Sequence, residues 1–256
     1  MKKLLLGSLL VASLLGAKDF TNSIGMKFVE IPAGSYMMGT KAPKCPKDNP
    51  FTSQNEYKDC MDKVDSNELP QHKVKVKAFY MAATEVTQGQ WYAVMGNNPA
   101  YYKNGNPDMP VEQVSWYDAQ AFIKKLNQKE HTNAYRLPTE EEWEYAARAG
   151  SSGKWCFGNS ESELSQYAWY YGSTTHPVAT KKPNKFGLYD MHGNVWEWTS
   201  SWYSKNYNST RKHKCKVLRG GGFGGSAYNT RSAIRILDYR DYRINDNGFR
   251  LARTLH

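Results

Sequence analysis

The stretch Gly187-Leu188-Tyr189-Asp190-Met191-His192-Gly193-Asn194-Val195-Trp196-Glu197-Trp198 is the strongest motif in this 256-residue chain. Its last four residues combine β-branched and aromatic side chains, which predicts a short strand. The surrounding sequence, from Gly150 onward, has no helical period and is rich in Gly, Asn, Trp and Tyr. Long irregular segments cost ordering entropy, so within a compact domain they are usually functional or held by ions and cross-links. We therefore look for a functional site in this half of the chain.

The composition indicates one large folded domain. The chain has 40% hydrophobic and 14% aromatic residues, 34 Lys+Arg, 24 Asp+Glu and only 4 Cys. These values exclude a disordered tail, a collagen-like chain, a disulfide-dense miniprotein and a polytopic membrane protein. No internal repeat or low-complexity linker divides the chain, so residues 18–256 are predicted to form a single domain.

Three helices are predicted from capping chemistry. Thr87, Ser115 and Thr139 each stand three residues before a side chain that can complete a capping box, and apolar residues at three-and-four spacing follow Ser115. The acids at 140–142 lie in the first turn of the third helix, where they suit the positive end of the helix dipole. The alternative, that these acids are catalytic, has no further feature to support it.

The N-terminal part of the domain contains strand-like runs. Two of them, within residues 24–38, flank Pro32-Ala33-Gly34 and predict an opening hairpin. Residues 41–68 are polar and rich in Pro and predict a surface insertion. Val74, Val76, Phe79 and Met81 then predict a third strand whose basic side, with Lys73 and Lys75, faces solvent.

The first 17 residues are typical of a secretory signal peptide. Lys2 and Lys3 precede an apolar run that ends at Gly16-Ala17. An uncleaved membrane anchor is the alternative, although the run is short for a membrane span. No other apolar run approaches spanning length, so we expect no integral membrane span after cleavage. The expected location is exported: periplasmic, at the cell surface or secreted.

Export favours disulfides over thiolate metal sites. Cys45 and Cys60 flank the polar insertion, and their pairing would staple it. Cys156 and Cys215 could bridge distant segments or stay free. None of the four forms a Cys-x-x-Cys arrangement, so zinc or thioredoxin-like chemistry has little support.

The net charge of +10 falls by two when Lys2 and Lys3 are removed with the signal peptide. The remaining basic residues are scattered, whereas a nucleic-acid surface needs them on one footprint. We therefore expect no nucleic-acid partner. Attraction to anionic lipid or polysaccharide remains open.

Nine collinear stretches resemble the formylglycine-generating-enzyme, or sulfatase-modifying factor, family. They include Thr84-Glu85-Val86-Thr87, Gly248-Phe249-Arg250-Leu251-Ala252 and the strong motif at 187–198. The resemblance implies an α+β fold of the C-type-lectin-like kind, with small antiparallel sheets, flanking helices and much irregular structure. The matching residues are 22–28, 31–34, 84–87, 114–116, 135–140, 143–148, 187–198, 218–221 and 248–252.

The resemblance also implies a chemistry that this chain lacks the residues to perform. Enzymes of the family oxidise a sulfatase cysteine to formylglycine, and they use a cysteine pair beyond the Gly-Gly pair to hold copper and bind the substrate thiol. Here Gly225 and Thr230 stand at about those positions. Neither residue supplies a soft thiolate, so we expect no copper and no parent activity.

A structural calcium site is a second implication of the resemblance. The matching ligands are the carboxylates of Asp190 and Glu197 and the main-chain carbonyls of Gly193 and Val195, an oxygen set that suits a hard divalent cation. The alternative is a turn in which Asp190 caps amides and Glu197 pairs with an arginine. His192, within the same motif, is predicted to be a packed or hydrogen-bonded histidine.

The segment 222–245 has the composition of a recognition surface, because rigid aromatic rings there alternate with small polar residues. It also resembles the segment that variable proteins of diversity-generating retroelements diversify. The leading hypothesis is a catalytically disabled family member that binds a protein or glycan through this segment, with its arginines as partly buried supports. An oxidoreductase-type enzyme of altered chemistry and an envelope scaffold are the alternatives. The candidate binding residues are Phe223, Ser226, Tyr228, Asn229, Leu237, Asp238, Tyr239, Asp241, Tyr242 and Asn245.

Overall fold

The computed structural model describes residues 19–42, 64–210 and 212–255. The predicted signal peptide and the predicted pairing of Cys45 with Cys60 lie outside these residues. Within the described ranges, no helix is long and apolar enough to cross a membrane.

Eleven short strands and three α-helices form the described fold, with much irregular structure between them. The helices are α1 (Gln88–Met95), α2 (Trp116–Lys129) and α3 (Glu140–Arg148). The strands are β1 (Phe20–Thr21), β2 (Lys27–Ile31), β3 (Gly34–Met38), β4 (His72–Val76), β5 (Phe79–Ala82), β6 (Tyr135–Arg136), β7 (Trp196–Ser204), β8 (Lys212–Arg219), β9 (Ile236–Tyr239), β10 (Asn247–Gly248) and β11 (Ala252–Thr254).

The strands form three small sheets. One sheet has the order β1-β2-β5-β11-β6, a second has β10-β7-β8-β9, and β3 pairs with β4 in the third. Pairing is antiparallel except between β10 and β7, where Asn247 lies opposite Trp196 in parallel register. The second sheet carries the strong motif on β7 and leaves β9 at its edge.

The predicted opening hairpin is wrong. β2 pairs with β5 and β3 pairs with β4, so the two strands enter different sheets. The physical reason is the connection: a two-residue hairpin turn needs positive φ angles, which Pro32 and Ala33 do not favour. The predicted third strand likewise divides into β4 and β5, and each joins the sheet of its own partner.

All three predicted helices are confirmed, including their capping boxes. The hydroxyls of Thr87, Ser115 and Thr139 each accept a hydrogen bond from the main-chain amide of the third residue of their helix. The side chain of that third residue accepts a hydrogen bond from the main-chain amide of the capping residue. These reciprocal bonds satisfy amides that have no partner inside the helix. Helix starts were therefore readable from local sequence.

Aromatic residues dominate the larger core. Trp91 stacks on Phe122 with ring centroids 5.4 Å apart, and Phe249 meets Phe122 edge to face at 5.5 Å. Trp198 and Phe28 are fully buried in the same cluster. A second cluster places α3, through Trp143, against β2 and β5.

Buried ion pairs connect α3 to the C-terminal half. Glu144 pairs with Arg148 at 2.8 Å and also with Arg219, and all three side chains are 7% exposed or less. Glu140 pairs with Arg235 at 2.5 Å. The acids on α3 are thus structural anchors in addition to suiting the helix dipole.

One prediction needs correction at its boundary. Glu68 was placed at the end of a surface insertion, yet it is fully buried and accepts two hydrogen bonds from Arg231, at 2.9 and 2.6 Å. An arginine 163 positions away supplies the counter-charge, which no local pattern reveals.

Replacing Glu144 by Gln is expected to lower the free energy of unfolding by about 3–5 kcal/mol, because buried guanidinium groups lose their counter-ion. Urea unfolding followed by tryptophan fluorescence measures the change. Arg243→Gln is the control, since its pair with Asp118 is largely exposed; we expect a loss of about 0–1 kcal/mol there. Equal losses in the two variants would contradict the assignment.

Candidate functional site

The glycine-rich segment after β8 crosses the molecule in close contact with two other loops. Gly221 has a φ of 87°, and a Cβ added to it would lie 2.6 Å from the Asn229 carbonyl oxygen. A Cβ at Gly222 would lie 2.7 Å from the Asp246 carboxylate. Only glycine permits this path without displacement, and the path brings residues 222–230 against the loop that ends at Asp246.

Gly225 and Thr230, the two positions expected to match the family's thiol pair, carry no thiol. Thr230 is fully buried; its hydroxyl accepts a hydrogen bond from Trp155 Nε1 at 3.0 Å and donates to the Ala227 carbonyl at 2.9 Å. The Gly225 carbonyl accepts from the Tyr171 amide at 2.9 Å. Both positions therefore have structural roles.

The two described cysteines lie elsewhere and are free and buried. Burial raises the pKa of the Cys156 thiol to about 12, so it stays protonated at neutral pH. The Cys156 amide donates to His192 Nε2 at 3.1 Å, and His192 Nδ1 therefore carries the proton that it donates to the Thr230 carbonyl at 2.9 Å. Burial lowers the pKa of His192 to about 4. The prediction of a packed, hydrogen-bonded histidine is confirmed.

Three residues of the predicted calcium site, Asp190, Gly193 and Val195, lie in the turn before β7, and Glu197 lies on β7 itself. Their oxygens differ in availability. Asp190 Oδ2 accepts from the Ala179 amide at 2.8 Å, whereas Asp190 Oδ1 is buried without a hydrogen-bond partner. Both Glu197 oxygens accept from Arg250 at 2.7 Å, and one of them also accepts from Trp143 Nε1. Asp190 therefore keeps an oxygen that fits a hard cation, while Glu197 already has a counter-ion.

No group of three or more His, Cys, Asp or Glu side chains within residues 19–42, 64–210 and 212–255 could hold a metal ion. The remaining two members of the predicted set, Gly193 and Val195, are buried. Their amides are occupied, by the Gly220 carbonyl at 2.8 Å and by Glu85 Oε1 at 3.2 Å respectively. Any contribution from them to a cation would come from main-chain carbonyls.

Part of the predicted binding segment forms an exposed patch on the edge strand β9 and the turn after it. Leu237, Tyr239 and Tyr242 are 38%, 50% and 51% exposed. The two tyrosine rings lie 5.2 Å apart. Asp241, in the same turn, is exposed as well. We call these four residues the edge patch.

Asp238 supports the edge patch from the other side of β9. One of its carboxylate oxygens accepts from the Tyr239 amide at 2.8 Å and the other from Asn247 Nδ2 at 3.1 Å. Burial is the main reason why the pKa of Asp238 is raised. Its hydrogen bonds stabilise the end of β9, where Tyr239 lies.

A second group of predicted residues meets tyrosines that the sequence analysis did not select. Phe223 is buried and packs edge to face on Tyr102 at 5.2 Å, and Asn245 donates to the Tyr102 hydroxyl at 3.2 Å. Neighbouring Tyr101 is 64% exposed, and Tyr171, bonded to Gly225, is 70% exposed. These tyrosines are 52 or more positions away in the chain from the segment 223–245, so local sequence carried no signal for them.

The remaining predicted residues have mainly local roles. Asn229 Oδ1 accepts from the Ser226 amide and hydroxyl, which caps the 3-10 helix Ala227–Thr230. Tyr228 is half-buried, with the Arg231 guanidinium 3.8 Å from its ring centroid. The structure thus brings Leu237, Tyr239, Asp241 and Tyr242 together and assigns Ser226 and Asn229 to a helix cap.

Known proteins are similar in sequence to large parts of this chain. The chaperone protein LppX of Paenibacillus barcinonensis is 29% identical, over 64% of this chain and 76% of that protein. The formylglycine-generating enzyme of Bos taurus is 26% identical, over 88% of this chain and 74% of that protein. Inactive C-alpha-formylglycine-generating enzyme 2 of Mus musculus is 35% identical, over 57% of this chain and 49% of that protein.

Among solved structures, Treponema denticola variable protein 1 is 32% identical and superposes with a TM-score of 0.77, over 93% of this chain and 99% of that one. The α+β, C-type-lectin-like fold is therefore confirmed. The model of the sulfatase-modifying factor enzyme 1-like domain matches residues 17–255. With its motif at 187–198 folded as described above, the chain belongs to that family.

Proposed function

We propose that this protein is an exported, non-catalytic family member that binds a protein or glycan partner through the edge patch and its neighbours. The observation that carries the proposal is the exposure of Leu237, Tyr239 and Tyr242 on an edge strand. Clustered exposed aromatic side chains are typical binding anchors, because they supply contact area at a low cost in conformational entropy.

The scaffold beneath the patch supports this proposal. Arg231 and Arg235, which were expected to be partly buried supports, are buried in ion pairs with Glu68 and Glu140. Arg240 lies over the rings of Tyr117 and Trp202, with its guanidinium carbon 5.2 and 5.0 Å from their centroids. A binding surface on such a base can vary in its exposed residues without loss of the fold.

Similarity to a variable protein supports the further hypothesis that the segment 222–245 is diversified by a retroelement. Export is proposed on the basic and apolar character of the first 17 residues. The similarity to a chaperone supports a protein as partner, because a chaperone acts on other proteins.

Replacing Tyr239 and Tyr242 together by Ala is expected to weaken partner binding at least about tenfold, because truncation of anchor residues removes most of the binding energy. A glycan array and capture of envelope proteins first identify the partner of the wild-type chain, and surface plasmon resonance then measures its affinity. Tyr92→Ala is the matched control, since Tyr92 is 62% exposed on α1. Unchanged affinity in the double variant would remove the proposed face.

Absence of the family's parent chemistry is tested directly. The purified chain, supplied with copper and oxygen, is expected to leave the cysteine of a sulfatase-type peptide unchanged, because Gly225 and Thr230 supply no thiolate. Mass spectrometry of the peptide detects conversion to the aldehyde. Aldehyde formation above a no-protein control would show that the protein is an enzyme.

Calcium binding by Asp190, Gly193, Val195 and Glu197 is also proposed, with a stabilising role. The unpartnered Asp190 oxygen supports it, and the pairing of Glu197 with Arg250 limits its strength. Calcium at about a hundred times its dissociation constant would stabilise the fold by about 2.7 kcal/mol. We therefore expect calcium to raise the melting temperature of the wild-type chain, and not that of Asp190→Asn, in differential scanning fluorimetry. An equal response of both proteins would exclude the site.

A further inference from the structure

A cavity of about 600 Å³ lies apart from the edge patch. Its walls come from the residues after β3, the loop that follows α3, and the 3-10 helix Ala227–Thr230 with the residues after it. Cavities of this size hold small organic molecules. Gly225 and Thr230, the positions expected to match the family's thiol pair, do not line it.

The described lining of the cavity is cationic. Lys41, Arg148, Lys154 and Arg231 line it, and no Asp or Glu side chain does so among the described residues. Lys41 and Lys154 are exposed and form no ion pair within 4.0 Å with a described acid. Two cationic side chains are therefore available to a ligand.

The buried arginines beside the cavity are paired with carboxylates. Arg148 shares Glu144 with Arg219, Arg231 pairs with Glu68, and Arg235 pairs with Glu140. Four guanidinium groups thus face three carboxylates in this network. The Asp65 carboxylate, beside Tyr228, balances the fourth guanidinium, so the charge that favours an anion in the cavity comes from Lys41 and Lys154.

Tyr228 lines the cavity, and its hydroxyl oxygen is buried away from solvent beside the Asp65 and Glu68 carboxylates. Burial, together with these carboxylates, raises the pKa of Tyr228 to about 12, so the hydroxyl keeps its proton at neutral pH. The ring of Tyr228 is therefore the part that a ligand in the cavity can contact.

The apolar part of the lining can contact the carbon atoms of an organic ligand. Val64, Ala233 and the Tyr228 ring contribute carbon surface beside the charged groups. An inorganic ion would leave most of the volume unfilled. We propose that this cavity binds a small organic oxyanion, whose phosphate, sulfate or carboxylate group is held by Lys41 and Lys154.

The test is a titration of the full mature chain by isothermal calorimetry at low salt. Phenyl phosphate is the principal probe, benzoate tests a carboxylate, phenol is the neutral analogue, and inorganic phosphate lacks the organic part. We expect phenyl phosphate and benzoate to bind, and added salt to weaken both. Phenol should not bind detectably, and inorganic phosphate should bind more weakly than phenyl phosphate.

The variant Lys41→Gln/Lys154→Gln is expected to bind phenyl phosphate about tenfold or more weakly, the loss typical of removing charge-assisted hydrogen bonds. Lys73→Gln/Lys75→Gln is the matched control, because it removes the same charge from exposed positions on β4. Tyr228→Phe removes a hydroxyl that is buried away from the cavity and keeps the ring, so we expect unchanged binding. Circular dichroism checks that each variant is folded.

Three results would overturn the proposal. Equal weakening by both lysine pairs would indicate attraction to net charge alone. Binding of phenol as tight as that of phenyl phosphate would show an apolar cavity without anion selectivity. No binding of either organic anion by the wild-type chain would exclude the site. None of these results bears on the edge patch, since Tyr239 and Tyr242 do not line the cavity.

Discussion

The buried pair between Arg250 and Glu197 joins the C-terminal segment to the centre of the fold. Both side chains are fully buried, and Arg250 donates to both carboxylate oxygens at 2.7 Å. Arg250 also donates to the carbonyls of Ala82 and Tyr189, at 3.3 and 2.9 Å. A buried ion pair is tolerated when its remaining hydrogen bonds are made. Here those bonds tie β5, β7 and the turn at 187–190 to the C-terminal segment.

Buried hydrogen bonds and ion pairs also stabilise the irregular half of the chain. Irregular backbone costs ordering entropy, and buried hydrogen bonds and ion pairs offset that cost. The Asn194 side chain is an example. Its Nδ2 donates to Glu85 Oε2 at 2.8 Å, and its Oδ1 accepts from the main-chain amide of His176 at 3.0 Å. With its loops held in this way, the scaffold can present exposed tyrosines on β9 and at 101 and 171 without relying on a long sheet or helix at those positions.

The segment after β8 is packed against a well-supported scaffold. Thr230 is buried, Gly225 has no side chain, and ion pairs support the surrounding loops. A rigid base beneath an exposed aromatic patch is suited to binding, because side chains held in advance lose little entropy when a partner docks. The cavity beside Tyr228, lined by Lys41 and Lys154, is the second proposed binding site.

Local sequence is enough to locate the three helix starts, because each capping box lies within one short stretch of the chain, and the collinear family motifs indicate the fold class. The pairing of the strands, the burial of the acids and the tyrosines around the candidate face become visible in the folded molecule alone. Glu68 and Arg231 are 163 positions apart, and β2 pairs with β5 rather than with β3. Ion pairs and strand pairings of this kind depend on burial and on partners distant in sequence, and no local pattern predicts them.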